Sequence, residues 1–443
     1  MERNRGENRG VFIEVMVVFS LLVALGFPGN YELVYGEKLG KLLEYAAFGV
    51  EILVILLSSA DRWQDIQLLH LDKKYAVIYC YGVITFLMSM LATHYPAEQA
   101  ITCARLLVTI LFVIWLQEYY SLHQILDLMG IAQGLFVAAV LIFMLRHASL
   151  AYESGSTYQR ALRGLYPSKN AFATELSFGI LITALLLRQK QKSRQPAGRW
   201  LALLLIQGVL LLMCQATGAV LCVLISFVPL FFPDRVRLPL GLGYIVINGV
   251  FLLLTLTLMP LLQDFLAALG KDATLTGRIP LWNQIITVMT YNRPLIGYGY
   301  GMFWRDSGAV ALVHAAFSVR KNSFMATMTT GAHNVILETW ANCGLIGLAL
   351  FFIALLRAFR DVSRLDRDAY RFCGVIMAYL TVNGLTERCL GGNYDFKTVA
   401  LFLVMALCLH RTNDVNAPRF LRPAEETEGK DDHAIGLSAS SEQ

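Results

Sequence analysis

The sequence predicts an all-α integral membrane protein of about twelve transmembrane helices with one large helical loop outside the bilayer. Three observations carry this. Of 443 residues, 56% are hydrophobic and only 16% charged, with a mean hydropathy of +0.55, whereas soluble domains carry roughly 25% charged residues. Apolar runs near the ~20 residues that a spanning helix needs recur along the chain. Lys and Arg also alternate between successive loops, as the positive-inside bias requires. An ordinary soluble enzyme, a disordered chain and a disulfide scaffold are excluded, and a net charge of +5 is too small to argue for nucleic acid.

The runs lie near residues 11–27, 40–60, 75–95, 100–121, 124–145, 171–187, 200–214, 216–232, 239–259, 334–356, 372–390 and 394–410. The first follows Arg3, Arg5 and Arg9 and reads as an uncleaved anchor, although Ala24-Leu25-Gly26 faintly resembles a signal-peptidase site. The seventh and eighth are short and nearly contiguous, which predicts a tight hairpin. An N-terminus in the cytoplasm puts the basic loops 61–74 (Arg62, Lys73, Lys74), 188–199, 233–238 (Arg235, Arg237) and 357–371 on the same side. Residues 1–410 then form the polytopic domain, and the polar stretch 411–443 is a disordered cytoplasmic tail. Eight cysteines without a CxxC pair read as small buried hydrophobes rather than disulfides or metal ligands.

Two outer loops, 146–170 and 260–332, carry basic residues against this bias. Long loops translocate regardless of charge, so either these are solvated or they hold an anion at the outer face. In the long loop, residues 278–291 place Trp282, Ile285, Ile286 and Met289 on one side, as an interfacial amphipathic helix would. Gly297, Gly299 and Gly301 let backbone approach a neighbour or a ligand; with no strand before them and no Gly-Lys-Ser/Thr after, they are not a nucleotide loop.

The long loop closes on His333-Asn334 at the mouth of a span. Helix N–H groups there favour anions, and a neutral imidazole can accept a proton from an attacking hydroxyl; either residue could instead simply cap the helix. Glu338 follows within a turn and a half, placed to orient the imidazole or to face a polar lumen. The shorter loop ends on Lys169-Asn170 at another helix start, after Arg160 and Arg163, whose forked guanidiniums suit phosphate oxygens. Inside the bilayer Arg105, Asp127, Glu175, Glu387 and Arg388 need partners or a polar cavity. Arg105 with Asp127 or Glu175 is the expected pair, and Glu387 could line the His333 cavity.

Taken together, these residues resemble the O-antigen ligase-related family of bacterial envelope enzymes, over about residues 155–390. Gly164…Lys169-Asn170 resembles the family's Gly-x-x-x-(His/Pro)-x-Asn element. Gly277-Arg278…Trp282…Arg293-Pro294-Leu295…Gly297-Tyr298-Gly299…Phe303-Trp304 resembles its long periplasmic loop, and His333-Asn334-x-x-Leu337-Glu338…Gly344-Leu345-x-Gly347 its loop-closing motif. The resemblance implies a glycosyltransferase-C-like membrane fold in the bacterial inner membrane, both termini cytoplasmic. It also implies transfer of glycan from undecaprenyl pyrophosphate to an acceptor hydroxyl, on another glycan or on lipid A core, without cofactor or metal.

On that basis His333 and Arg278 are the expected catalytic pair. Arg160, Arg163, Lys169, Asn170, Asn334 and Trp282 are the expected substrate contacts, and envelope polysaccharide assembly proteins are possible partners. Many ligases carry Ser-x-Arg-Gly between spans seven and eight. Here Cys214-Gln215-Ala216-Thr217-Gly218-Ala219 has no cation, so either Arg160 or Arg163 substitutes or the substrate contact differs; Thr217 resembles what exopolysaccharide polymerases carry at this point, which favours a polymerase over a ligase. A lipid-linked glycan flippase would instead place charges at mid-membrane and show repeats between halves. A non-catalytic scaffold would leave His333 and Arg278 unexplained.

Overall fold

Helices stand at every predicted apolar run. The computed structural model describes residues 2–26, 37–60, 73–155, 158–233, 236–261, 277–318, 331–387 and 395–410. Arg62, Arg235, Arg388, residues 262–276 and 319–330 of the long loop, and the tail 411–443 lie outside them. The bundle helices are α1 (Glu2–Ala24), α2 (Glu37–Ala60), α3 (Ala76–Ala92), α4 (Pro96–Tyr119), α5 (Leu122–Arg146), α6 (Lys169–Lys192), α7 (Gly198–Met213), α8 (Thr217–Ser226) and α9 (Leu240–Leu261). The long loop adds α10 (Arg278–Asn292) and α11 (Ser307–Ser318), and the bundle resumes with α12 (Val335–Ala358), α13 (Arg367–Thr386) and α14 (Phe396–Leu409). Among the described residues, six segments, Lys73–Ala92, Pro96–Tyr119, Leu122–Arg146, Lys169–Lys192, Leu240–Met259 and Val335–Arg364, are long and apolar enough to cross a membrane by length and composition; four other apolar helices are shorter.

The interior is set by α14, where every residue from Phe396 to Cys408 is buried. A helix apolar all round belongs in a core, and α14 packs against α4, α13 and α12. Polar ties gather the helix ends at two levels. At one end, here the site end, Tyr166 donates to the Leu25 carbonyl, Arg293 to the Ala92 carbonyl and Asn334 to the Leu385 carbonyl. At the opposite end, Lys74 pairs with Glu118 at 2.8 Å and Lys190 with Asp127 at 2.7 Å.

The expected Arg105 pairing is not the one found. Arg105 meets Glu44 of α2 at 3.1 Å and lies over the Tyr45 and Phe48 rings. Asp127 starts α5 at the opposite end, whereas Arg105 lies in the site-end half of α4, so antiparallel packing keeps them apart. A second departure is a small antiparallel pair of strands, β1 (Tyr152–Gly155) with β2 (Tyr158–Leu162), in the shorter loop; among the described residues all other regular elements are helical. The seven described cysteines are all free and all but Cys80 are buried.

The Gly-rich run serves a neighbour. At Gly344 (φ 66°, ψ −177°) α12 leaves helical geometry. The loop then supplies the hydrogen bonds the helix loses. Leu345 and Ile346 N–H donate to the Pro294 and Leu295 carbonyls (2.9 and 3.1 Å), and Tyr298 and Gly299 N–H donate to Ala341 and Asn342 (3.2 and 2.8 Å). Kinks in a buried helix require such replacement. A Cβ at Gly344 would run into the Leu295 carbonyl, and its backbone conformation is nearly exclusive to glycine. Gly344→Ala should therefore lower stability by more than about 1 kcal/mol, read as a fall in the thermal midpoint in detergent; an unchanged midpoint contradicts this account of the joint.

Candidate active site

The long loop has a core of its own, in which Leu281, Trp282, Ile285 and Met289 of α10 pack with Phe303, Val313 and Leu337. The described residues of the loop, 277–318 and 331–332, thus form a folded unit seated on α12. Trp282, expected to touch substrate, is fully buried, and its indole N–H donates to the Ala332 carbonyl at 2.8 Å. Asn334, also expected as a contact, is fully buried and caps α12, its side-chain oxygen accepting from Ile336 and Leu337 N–H at 3.1 and 3.2 Å. Glu338 takes the Ala332 N–H at 2.6 Å and the Trp304 indole at 3.1 Å, so it fixes the loop rather than the imidazole.

Between these anchored neighbours stands His333 at φ 48°, in the left-handed region that non-glycine residues rarely adopt. Its side chain is 38% exposed, and Nδ1 lies 3.1 Å from Glu387 Oε2. The other carboxylate oxygen, Oε1, accepts from the Arg278 guanidinium at 3.0 Å. His333, Glu387 and Arg278 therefore form one constellation at the meeting of three elements: the start of α12, the end of α13 and the first turn of α10. The sequence pairs His333 with Arg278 but leaves Glu387 only as a lining residue.

Burial works against ionising Glu387, yet the hydrogen bond and charge at His333, then the charges of Arg278 and Lys397, hold its pKa below the ordinary value. With the folded pKa below about 4.3, this pairing stabilises the fold above that pH and is lost as pH falls through the folded value. The thermal-midpoint advantage of wild type over Glu387→Gln should shrink below about pH 4; a gap independent of pH would mean the contact is not ionic. Lys397, buried at the start of α14, acts electrostatically on both Glu387 and Glu175. In the sequence it is a single cation three residues inside the last apolar run, 394–410, with no local sign of a partner.

The second basic group lies where the hairpin and α6 meet the α7–α8 turn. Arg160 is exposed, at φ 50°, with its guanidinium over the Tyr152 ring. Arg163 is partly spent on backbone, its Nε donating to the Leu150 carbonyl at 2.8 Å. Lys169 donates from Nζ to the Gln215 carbonyl at 3.1 Å, while Asn170 is exposed in the first turn of α6. The turn that lacks the ligase arginine thus has the Lys169 ammonium against it.

Residues 200–352, which run from α7 to the kinked α12 and include Arg278 and His333, match the O-antigen ligase family. That segment is similar to O-antigen ligases. A stretch of 109 residues is 38% identical to the exopolysaccharide production protein ExoQ of Rhizobium meliloti (strain 1021). That match covers 23% of this chain and 23% of that protein. The long apolar helices and the O-antigen ligase match over residues 200–352 support a multi-pass membrane protein.

Proposed function

We propose that the protein is a periplasm-facing glycan transferase, moving a polysaccharide or repeat unit from undecaprenyl pyrophosphate to an acceptor hydroxyl. The observation that carries this is the His333–Glu387–Arg278 constellation. Glu387 at Nδ1 holds that nitrogen as the protonated one, which leaves Nε2 to take the proton of the attacking hydroxyl; the carboxylate then stabilises the imidazolium that forms. Arg278 offers further N–H donors to the pyrophosphate, whose charge grows as the glycosidic bond breaks. Trp282 and Asn334 position this machinery through the Ala332 carbonyl and the α12 cap. Lys169 and Arg160 are the phosphate-holding cations at the α7–α8 turn, with Arg163 and Asn170 beside them, in place of the ligase arginine.

Polymerisation of exopolysaccharide or O-antigen is favoured over ligation to lipid A core by the ExoQ likeness and by Thr217 in that turn. The reaction separates the two. Purified protein given undecaprenyl-pyrophosphate glycan alone should build a ladder of products. A single shift of added lipid A core, with no ladder, would make it a ligase, and no product with either acceptor from folded protein would refute transfer.

Sidedness follows the basic-loop alternation, with both termini in the cytoplasm and the site end in the periplasm of the inner membrane. Cysteines placed at the exposed Ser307 and Ser193 test it. An impermeant thiol reagent should label Ser307→Cys and not Ser193→Cys in cells with a permeable outer membrane; the reverse pattern contradicts periplasmic chemistry.

A further inference from the structure

At the end of the bundle opposite His333, a cleft of ≈630 Å³ opens between the start of α3 and the ends of α12 and α14. Lys73, Lys74, Arg357, Arg360 and Arg364 line it, against one acid, Asp361. Asp361 is shared between Arg360 at 3.2 Å and Arg364 at 3.4 Å. Lys74 is engaged with Glu118, which also accepts from the Tyr75 hydroxyl at 2.7 Å and lies 3.5 Å from His410. Among the described residues, Lys73 and Arg357 have no acidic partner.

Topology alone does not account for this. The positive-inside bias asks for basic residues in short loops, pointing anywhere. It does not ask two separated segments to turn five cations into one cavity, where Glu118 and Asp361 engage Lys74, Arg360 and Arg364 and a bound anion would offset the charge of Lys73 and Arg357. Apart from Cys408 and His410, the remaining wall is apolar, from Ala76, Val77, Ala358, Leu365 and Leu409. Cations over an apolar wall match an amphiphile better than a free anion, and the volume lies in the range of small-molecule sites.

We propose that this cleft binds the headgroup of an anionic phospholipid. Lys73 and Arg357 donate to the phosphate oxygens, and the apolar wall takes the first methylenes of the acyl chains. The site is separate from the transfer chemistry, since Asn334 and Arg357 stand at opposite ends of α12, roughly 35 Å apart along a 1.5 Å rise per residue.

The test is native mass spectrometry of the delipidated full-length protein, titrated with phosphatidylglycerol, phosphatidylcholine or inorganic pyrophosphate. Wild type should hold one phosphatidylglycerol roughly tenfold more tightly than phosphatidylcholine. Lys73→Ala/Arg357→Ala should lose that preference, and Lys73→Arg/Arg357→Lys should keep it, which separates loss of charge from misfolding. Equal binding of the two lipids by wild type, or an alanine variant that keeps the preference, overturns the proposal. Pyrophosphate bound in the absence of any lipid preference would make this a site for a soluble anion instead.

Discussion

His333→Ala should reach the membrane at normal levels and lose transfer by at least about 10²-fold, the usual contribution of a positioned general base. The substitution removes the Nε2 acceptor, while the fold around it is secured by other groups. Asn334 caps α12, Trp282 holds the Ala332 carbonyl and Glu338 the Ala332 N–H. The thermal midpoint should thus change little while product formation stops. His333→Ala protein that still builds polymer at the wild-type rate would remove His333 from the chemistry.

Glu387→Gln should lower kcat by on the order of 10²–10⁴-fold with little change in the KM for the lipid-linked donor. The amide keeps the shape but no longer holds Nδ1 as the protonated nitrogen, and it cannot stabilise an imidazolium. It also leaves Arg278 without its counter-charge at 3.0 Å. Arg278→Ala should behave differently, raising the donor KM as well as lowering kcat, because the pyrophosphate loses a binding partner in the ground state too. If Glu387→Gln changed KM alone, the carboxylate would be part of substrate binding and not a positioning residue for His333.

Much of the fold is legible in hydropathy because apolar run length and alternating basic loops are local signals. His333-Asn334 at a helix mouth and α10 with its Trp282 face are local too, and both stand where the pattern places them. What escapes is contact between distant segments. Glu387 lies 54 residues from His333 in sequence, and nothing in the periodicity of α13 says which helix mouth its end will meet. Arg105 finds Glu44 for the same reason; the pairing depends on which helices are neighbours. The β1–β2 hairpin has strands of four and five residues, too short to show an alternating pattern. Gly297 and Gly344 were visible as glycines, but their meaning as one joint appears only when Leu295 is seen against the kink of α12.

In the proposed reaction the lipid pyrophosphate sits at the His333–Glu387–Arg278 constellation. The most direct measurement is photo-crosslinking of a polyprenyl-pyrophosphate analogue, with its reactive group beside the pyrophosphate, to the purified protein, followed by peptide mapping. Label should appear on peptides spanning residues 278–293 and 331–345 and be competed away by the natural donor. Label confined to peptides around Lys73 and Arg357, at the opposite end of the bundle, would contradict it.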